Sequence, residues 1–291
     1  MDRDLVKQKL LESQEPMMAF FLQQKGNRPL FGELLSVEIG GEKHRMRYYP
    51  GKGPKSPMYF DIHGGGFVWG TMEDGDLFCH AVNERFGFAV FAPEYPLTPQ
   101  AEYPQALDWL YETIQYLRTH AETYQADAAN VIVGGRSAGG NLAAALCQKA
   151  RCEGTFQFRL QVLDHPWLDL CRMIPEEERY QAEDTLSLEM LEGMAIGYAD
   201  EEQRSEIFCS PLAAKEAQMR ELSPAIIQTC EMDSLRADGD LYAERLKEAG
   251  VRVIHHCFRN ALHGFTEGTD SMAEEGRRWL LDAMDEMLFG G

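Results

Sequence analysis

Short apolar runs alternate with longer amphipathic segments along most of this chain. The runs that predict strands are 33–39, 44–49, 58–63, 88–93, 130–134, 158–164, 225–230 and 251–258. The segments that predict helices from residue 100 onward are 104–119, 137–150, 238–249 and 271–288. Most of the later strands are apolar almost throughout. This pattern is typical of an α/β protein, in which helices cover both faces of a mostly parallel sheet.

Two segments do not follow this alternation. Residues 3–24 carry a loose apolar face and predict two short helices split at Pro16, because proline interrupts helical hydrogen bonding. Residues 172–210 lie between two strands and are too long for a simple connection. One helical face in that segment is formed by Leu186, Met190, Leu191, Met194 and Tyr198. We expect a single domain over 1–291, with a cap contributed by about 1–30 and by 172–210.

Composition narrows the function classes. The chain has 28 Lys and Arg against 47 Asp and Glu, a formal charge of −19, which disfavours nucleic acids and anionic membranes as partners. No stretch is long and apolar enough for a membrane span, and the N-terminus lacks a signal-peptide pattern. The seven cysteines are scattered and form no C-x-x-C pair, which is typical of reduced thiols. We therefore expect a cytoplasmic protein.

The stretch GGRSAGG links an apolar strand to an alanine-rich helix and contains the pattern Gly135-x-Ser137-x-Gly139. Small residues on both sides allow a sharp strand-to-helix turn that projects the serine hydroxyl above the edge of the sheet. Serine is also a good helix N-cap. The motif alone therefore leaves a nucleophile and a helix cap as two interpretations of Ser137.

A second glycine-rich turn, HGGGF at 63–67, also follows a strand. Consecutive glycines let the backbone turn sharply and present N–H groups to an anion. The N–H groups of Gly64 and Gly65, with that of Ala138, would hold the oxyanion of a tetrahedral intermediate. The alternative is a plain glycine turn with His63 as a core histidine.

A base and an acid for Ser137 are present further along the chain. His263 lies in the loop after the last strand, and Asp233 follows the strand 225–230, so both reach the same edge of the sheet. Asp238 and Asp240 compete with Asp233, but they fall where the next helix begins and are interpreted as N-terminal caps.

The run HHC at 255–257 does not predict a metal site. Adjacent residues on a strand point to opposite faces, so these side chains cannot converge on one ion. His44, His120 and His165 occupy strand, helix-end and loop positions without evident partners. We therefore expect no metal site at these histidines.

Together these motifs resemble the hormone-sensitive-lipase-like family of α/β-hydrolases, esterases with an H-G-G-G oxyanion motif. The chain order Ser137, Asp233, His263 matches the order of nucleophile, acid and base in that fold. The similarity also includes the segments 94–109, 165–170 and 210–212 and extends from about residue 45 to the end. The resemblance implies an α/β-hydrolase fold with an eight-stranded, mostly parallel sheet and a helical cap. It also implies hydrolysis of small carboxylic esters, often with short acyl chains, without a cofactor.

The sequence departs from this family at two positions near the motifs. Arg136 stands where the family commonly has an acidic residue, and Asp61 stands where it commonly has an aromatic one. Because a lone charge at a strand end is costly, we hypothesise that Asp61 and Arg136 form a buried or half-buried ion pair. The alternative is that Arg136 pairs elsewhere or reaches solvent. Ser234, where the family usually has proline, is a smaller departure.

These observations predict a serine esterase acting on small-molecule esters. By position, the candidates for substrate binding are Phe67, Trp69, Trp167 and Phe208, together with Met190 and Met194 of the predicted cap, although each is also consistent with core packing. The bulk of the two tryptophans favours a short acyl group, acetyl to butyryl. An amidase, arylformamidase or peptidase stays open because the same triad cleaves amides. A non-catalytic small-molecule receptor is less favoured, because no triad member is missing.

The last predicted strand, 251–258, is a candidate for an exposed edge of the sheet. An unpaired edge can add a strand from a second subunit. A homodimer is therefore an open expectation.

Overall fold

The computed structural model describes residues 2–25, 30–172, 174 and 186–290. The rest of the chain, residues 1, 26–29, 173, 175–185 and 291, lies outside the described part. All of these positions except the last belong to the segments from which we predicted a cap.

Within the described residues, eight strands form one sheet. They are β1 Glu33–Ile39, β2 Glu42–Tyr49, β3 Ser56–Ile62, β4 Ala89–Pro93, β5 Ala126–Arg136, β6 Leu160–Asp164, β7 Ala225–Met232 and β8 Val253–Leu262. Their order is β1-β2-β4-β3-β5-β6-β7-β8, and only β2 runs antiparallel to its neighbours. The predicted eight-stranded, mostly parallel sheet is confirmed.

Helices cover both faces of this sheet, as predicted. They are α1 Arg3–Lys25, α2 Asp76–Phe86, α3 Gln105–Thr119, α4 Ala138–Glu153, α5 Leu188–Tyr198, α6 Glu201–Arg204, α7 Glu216–Met219, α8 Arg236–Glu248 and α9 Ser271–Phe289. The helices α3, α4 and α8 contribute to the core on one face, and α2 and α9 to the core on the other.

The central strands are buried on both faces because their apolar runs supply side chains to two cores. Successive side chains of a strand point in opposite directions. In β3, Phe60 therefore packs into the core with α3 and α4, while Tyr59 packs into the core with α2 and α9. Both side chains are almost fully buried, and burial of each contributes about 1.5–3 kcal/mol. The carboxyl ends of these strands are thereby fixed in position.

The predicted split of the N-terminal helix at Pro16 is wrong, because α1 runs unbroken from Arg3 to Lys25. Pro16 removes one hydrogen bond to the carbonyl of Glu12, and both residues lie on the exposed face of the helix, where water can replace the lost donor. Close by, the side-chain amide of Gln14 donates to the carbonyls of Val68 and Thr98 and holds the helix against the body of the domain.

Three further features bear on earlier expectations. The strand β8 lies at one edge of the sheet, while pairing with a second subunit through it stays a prediction. The seven cysteines all lie in the described residues, form no disulfide, and four of them are buried. Among the helices of the described chain, none is both long and apolar enough to cross a membrane.

Candidate active site

Polar residues follow the carboxyl ends of five parallel strands, and they meet at one edge of the sheet. The first residues after β3, β5, β6, β7 and β8 are His63, Ser137, His165, Asp233 and His263. In open α/β sheets, ligands bind beyond the carboxyl ends of the strands. The topology therefore gathers these side chains where a substrate has access to them.

Ser137 occupies a strained turn between β5 and α4. Its φ of +52° and ψ of −118° lie in a region that residues other than glycine rarely adopt. A Cβ atom on Gly139 would collide with the carbonyl oxygens of Ile62 and His63, and one on Gly135 would collide with the carbonyl oxygen of Gly139. Both flanking positions are therefore restricted to glycine, which explains the motif in terms of close backbone packing.

The hydroxyl of Ser137 does not cap helix α4. Although Ser137 is the N-cap residue of α4, its side chain makes no capping hydrogen bond. Its Oγ instead lies 2.9 Å from Nε2 of His263. The N–H of Ser137 donates to the carbonyl of Asp164 at 3.0 Å, which fixes the turn from below. The capping hydrogen bond is therefore not observed, and the hydroxyl is bonded to a histidine instead.

His263 connects Ser137 to Asp233. Its Nδ1 lies 2.7 Å from Oδ2 of Asp233, whose side chain is only 1% exposed. The other carboxylate oxygen of Asp233 accepts the N–H of Leu235 at 2.9 Å. Because a carboxylate only accepts hydrogen bonds, Nδ1 carries a proton that it donates to Asp233, while Nε2 faces the serine hydroxyl. The three residues thus form one hydrogen-bonded chain.

The two competing aspartates do not cap α8, so that prediction is wrong. Asp238 is buried and accepts the N–H groups of Leu168 and Asp169 at 3.1 and 3.0 Å, across the gap to the loop after β6. Asp240 pairs with His255 at 2.9 Å, away from Ser137. Of the three aspartates, Asp233 is the one whose carboxylate bonds His263.

The glycine-rich loop after β3 is oriented by His63. The Nδ1 of His63 lies 2.9 Å from the carbonyl oxygen of Gly64, and its ring stacks on Tyr95 with centroids 4.1 Å apart. In a trans peptide the C=O and N–H groups point in opposite directions. Holding the carbonyl of Gly64 therefore turns the N–H of Gly65 the other way. Gly65 has a φ of +101°, which only glycine adopts readily.

Three backbone donors are available near Ser137. The N–H groups of Gly64, Gly65 and Ala138 donate to no other group in the described part of the chain. A Cβ built on Gly64 would lie 3.4 Å from Cβ of Ser137, so the loop passes directly beside the serine. Ala138 begins α4, where the first N–H groups have no partner within the helix. The arrangement can therefore hold a negatively charged oxygen.

Arg136 pairs with Asp61, which confirms the hypothesis drawn from the sequence. Its guanidinium donates to both carboxylate oxygens, at 3.1 and 2.9 Å, and the two side chains are 6% and 2% exposed. Burial opposes the charge, but Asp61 outweighs it and raises the pKa of Arg136 well above its usual value. Nε of Arg136 also lies 3.6 Å from Glu267. Gly75 leaves room for the pair, since a Cβ there would collide with it.

A cavity of about 490 Å³ opens beside Ser137 and His263. Trp69 and Trp167 line it, as predicted by their positions. Phe67 and Phe208 do not: Phe67 stacks on Tyr198 with centroids 3.9 Å apart, and Phe208 packs half-buried against the core. For these two residues the core-packing alternative describes what is observed.

Sequence reasoning missed two residues of the cavity wall, Met17 and Phe20 of α1. Met190 and Met194 of α5 line it too, as expected from their place in the predicted cap. Met17 and Phe20 lie three residues apart on one helix, so the sequence indicated only that they belong to an apolar helix face. Met194 lies so close to Gly66 that a Cβ built on this glycine would collide with the methionine sulfur.

His165 also lines the cavity and was not assigned a role from the sequence. Its Nδ1 lies 2.9 Å from the carboxylate of Asp164, the last residue of β6. The signal available in the sequence was its position directly after a central strand, shared with Ser137 and His263. Within the described residues, no group of three or more His, Cys, Asp or Glu side chains is arranged to hold a metal ion.

Comparison with known proteins agrees with this geometry. A family profile described as alpha/beta hydrolase fold matches residues 59–267. The chain belongs to the hormone-sensitive-lipase-like family of α/β-hydrolase esterases. An ethyl acetate hydrolase of Pseudomonas putida is 30% identical over 231 residues, which cover 78% of this chain and 72% of the relative. This is a family of carboxylic ester hydrolases.

Two further similarities define the extent of the match. The solved structure of a bacterial heroin esterase superposes with a TM-score of 0.84 and 31% identity, covering 96% of this chain and 92% of that one. An alpha/beta hydrolase of Acanthamoeba polyphaga mimivirus is 28% identical over 216 residues, and the match spans 74% of this chain but 62% of the viral protein.

Proposed function

We propose that this chain is a serine carboxylesterase that hydrolyses small esters with short acyl groups, with Ser137 as the nucleophile. The observation that carries the proposal is the hydrogen-bonded chain from Ser137 through His263 to Asp233, with distances of 2.9 and 2.7 Å, at the wall of a cavity. Family membership supports the same reaction class.

The geometry suits two successive acyl transfers. In the first, His263 takes the proton of Ser137 as its Oγ attacks the ester carbonyl, and then gives that proton to the leaving alcohol. In the second, water attacks the acyl-enzyme with His263 again as base. Asp233 keeps the proton of the resting imidazole on Nδ1 and stabilises the imidazolium that forms in each step.

The negative charge that develops on the carbonyl oxygen needs donors that are already in place. The N–H groups of Gly64, Gly65 and Ala138 are suited to this task because none has another partner in the described residues. Donors fixed in advance need no reorganisation during the reaction, and losing one costs about 10²–10³ in rate.

Two fixed aromatic side chains support a short acyl group. The N–H of Trp167 donates to the carbonyl of Ser137 at 3.2 Å, so this tryptophan is held beside the nucleophile. The indole of Trp69 donates to Ser13 at 3.2 Å and is equally constrained. In contrast, Met17, Phe20 and Met190 give the rest of the cavity an apolar lining suited to a larger alcohol. The similarity to an ethyl acetate hydrolase favours acetyl esters.

The test is a comparison of Ser137→Ala with the exposed control Ser205→Ala. Ser137→Ala should keep its fold by circular dichroism and lose turnover of 4-nitrophenyl acetate by at least about 10⁴-fold. It should also lose labelling by an organophosphonate, whereas Ser205→Ala keeps both. Esterase activity retained in Ser137→Ala would contradict the assignment.

The acyl preference has a separate test. Among 4-nitrophenyl esters from acetate to decanoate, kcat/KM should be largest for acetate to butyrate. A maximum at octanoate or longer contradicts the short-chain proposal without affecting the role of Ser137. Faster cleavage of 4-nitroacetanilide than of 4-nitrophenyl acetate would favour an amidase instead.

A further inference from the structure

A second histidine–carboxylate pair lies next to the triad. The carboxylate of Asp164 accepts hydrogen bonds from His165 Nδ1 at 2.9 Å, from Gln228 at 2.7 Å and from Thr266 at 2.5 Å. Its backbone carbonyl accepts the N–H of Ser137. Thr266 belongs to the short loop that begins with His263. Asp164 is therefore bonded both to the turn of the nucleophile and to the loop of the base.

His165 contacts His263 directly. The two rings meet edge to face, with centroids 4.6 Å apart and planes inclined by 78°. The side chain of His165 is 1% exposed, yet it lines the cavity. Its backbone has a φ of +39°, rare for a residue other than glycine, and its N–H donates to the carbonyl of Gln228 at 2.7 Å. The ring is thus held firmly against that of the base.

The charges around His165 favour its cationic form. Burial lowers the pKa of His165, but the charge and hydrogen bond of Asp164, together with the charges of Glu267 and Asp233, outweigh it and raise the pKa above the ordinary value. The same contact holds the pKa of Asp164 below its ordinary value against the effect of burial. Both shifts favour an imidazolium bonded to a carboxylate over a pair of neutral groups.

Other ionisable groups face the same region. Asp233 faces His263 from the loop after β7. Glu267 faces both histidines from the loop after β8, and burial and the negative charge of Asp74 raise its pKa against the opposite effect of Arg136 and the two histidines. The ring that contacts His263 is that of His165.

We propose that Asp164 and His165 act as a charged pair that positions the ring of His263 and opposes its protonation in the resting enzyme. This inference rests on the proposed function, since it concerns the base of that reaction. The ring of His165 contacts that of His263, whereas the carboxylate of Asp164 is hydrogen-bonded to His165, Gln228 and Thr266, so His263 meets the positive member of the pair. His263 thereby stays neutral, and able to accept the proton of Ser137, at a lower pH than it otherwise would.

Three variants separate this role from simple packing. His165→Asn keeps a donor near the position of Nδ1 but removes the cation, and His165→Phe keeps a ring but removes the cation. Each leaves Asp164 as an uncompensated anion near His263. The acid limb of kcat/KM against pH should therefore move to higher pH by about one unit in both. Combining Asp164→Asn with His165→Asn removes both charges, so the acid limb should lie between that of the wild type and those of the single variants.

The matched control is the exposed His120→Asn, which should leave the limb unchanged. Lower kcat with an unmoved acid limb in both single variants would overturn the proposal, because packing alone would give that result. An acid limb in the double variant that stays with those of the single variants would overturn it too.

A measurement without turnover keeps the inference distinct from the proposed function. Imidazole NMR of the Ser137→Ala protein should show His165 protonated at pH 7, and His263 titrating at higher pH when His165→Asn is added. A neutral His165 at pH 7 would overturn the charged pair even in an active esterase. If Ser137→Ala kept esterase activity, the proposed function would fail while this titration still decided the state of the pair.

Discussion

Arg136 and Asp61 bind each other through two hydrogen bonds, of 3.1 and 2.9 Å, directly before the turn that carries Ser137. The two side chains come from neighbouring strands, β5 and β3, and both are buried. A charge at this position is tolerated because the strand beside it supplies the opposite charge, and Gly75 leaves space for both. The pair thus fixes the end of β5, where the turn containing Ser137 begins.

Removing one partner of this pair should destabilise the protein more than replacing both partners together. Asp61→Leu or Arg136→Met alone leaves a buried charge without its partner and should lower the free energy of unfolding by about 3–5 kcal/mol. The double variant removes both charges and should recover most of that loss. Urea unfolding of the four proteins measures the coupling. Additive losses in the double variant would show that the two charges do not stabilise each other.

The HGGGF turn at 63–67 should not tolerate a side chain at Gly65. Gly65→Ala places a Cβ against the carbonyl oxygen of Trp69 at a φ of +101°, so the loop must move and its donors shift. We expect kcat on 4-nitrophenyl acetate to fall by about 10²-fold or more. The control is Gly40→Ala, which also has a positive φ, of +60°, but lies in an open turn between β1 and β2. Equal activity in the two variants would contradict this role of Gly65.

Asp233 should matter for rate far more than the rival carboxylate Asp240. Asp233→Asn keeps the shape of the side chain but allows His263 to take the wrong tautomer, which should lower kcat by about 10⁴-fold. Asp240→Asn changes a carboxylate that binds His255 instead, and kcat should stay near the wild-type value. Steady-state kinetics on one short ester measures both. A similar loss in both variants would argue against Asp233 as the acid.

The cavity wall should set the acyl preference through Trp69. Trp69→Leu removes an indole that lines the cavity, so the chain-length optimum should move to longer acyl groups. Phe208→Leu is the matched control, because Phe208 packs against the core and does not line the cavity. Its optimum should not change. An unchanged optimum in Trp69→Leu would place the acyl group elsewhere in the cavity.

Patterns that depend on neighbouring residues in the chain predicted the fold well. Apolar runs gave the strands, because burial on both faces requires side chains that are apolar at successive positions. The positions after the strands gathered Ser137, Asp233 and His263 because parallel strands end at one edge. The catalytic roles of these residues stay predictions, while their proximity is a property of the structure.

What the sequence did not predict depends on contacts between distant segments. Phe67 and Phe208 are aromatic residues near the motifs, and only the three-dimensional packing shows that they face the core. His165 begins a segment similar to the family, but its contact with the ring of His263, 98 positions further along the chain, is visible only in the structure. The continuity of α1 through Pro16 depends on which face of the helix meets solvent.

The contact between Met194 and Gly66 has a consequence for engineering. The helix above the cavity places a methionine sulfur into the space that the bare glycine of the HGGGF turn leaves open. Helix α5 and the HGGGF turn are therefore in close contact at Met194 and Gly66. A chimera that takes α5 from another family member would place a different side chain against Gly66. Grafted segments should keep methionine at position 194 or be exchanged together with the turn beneath them.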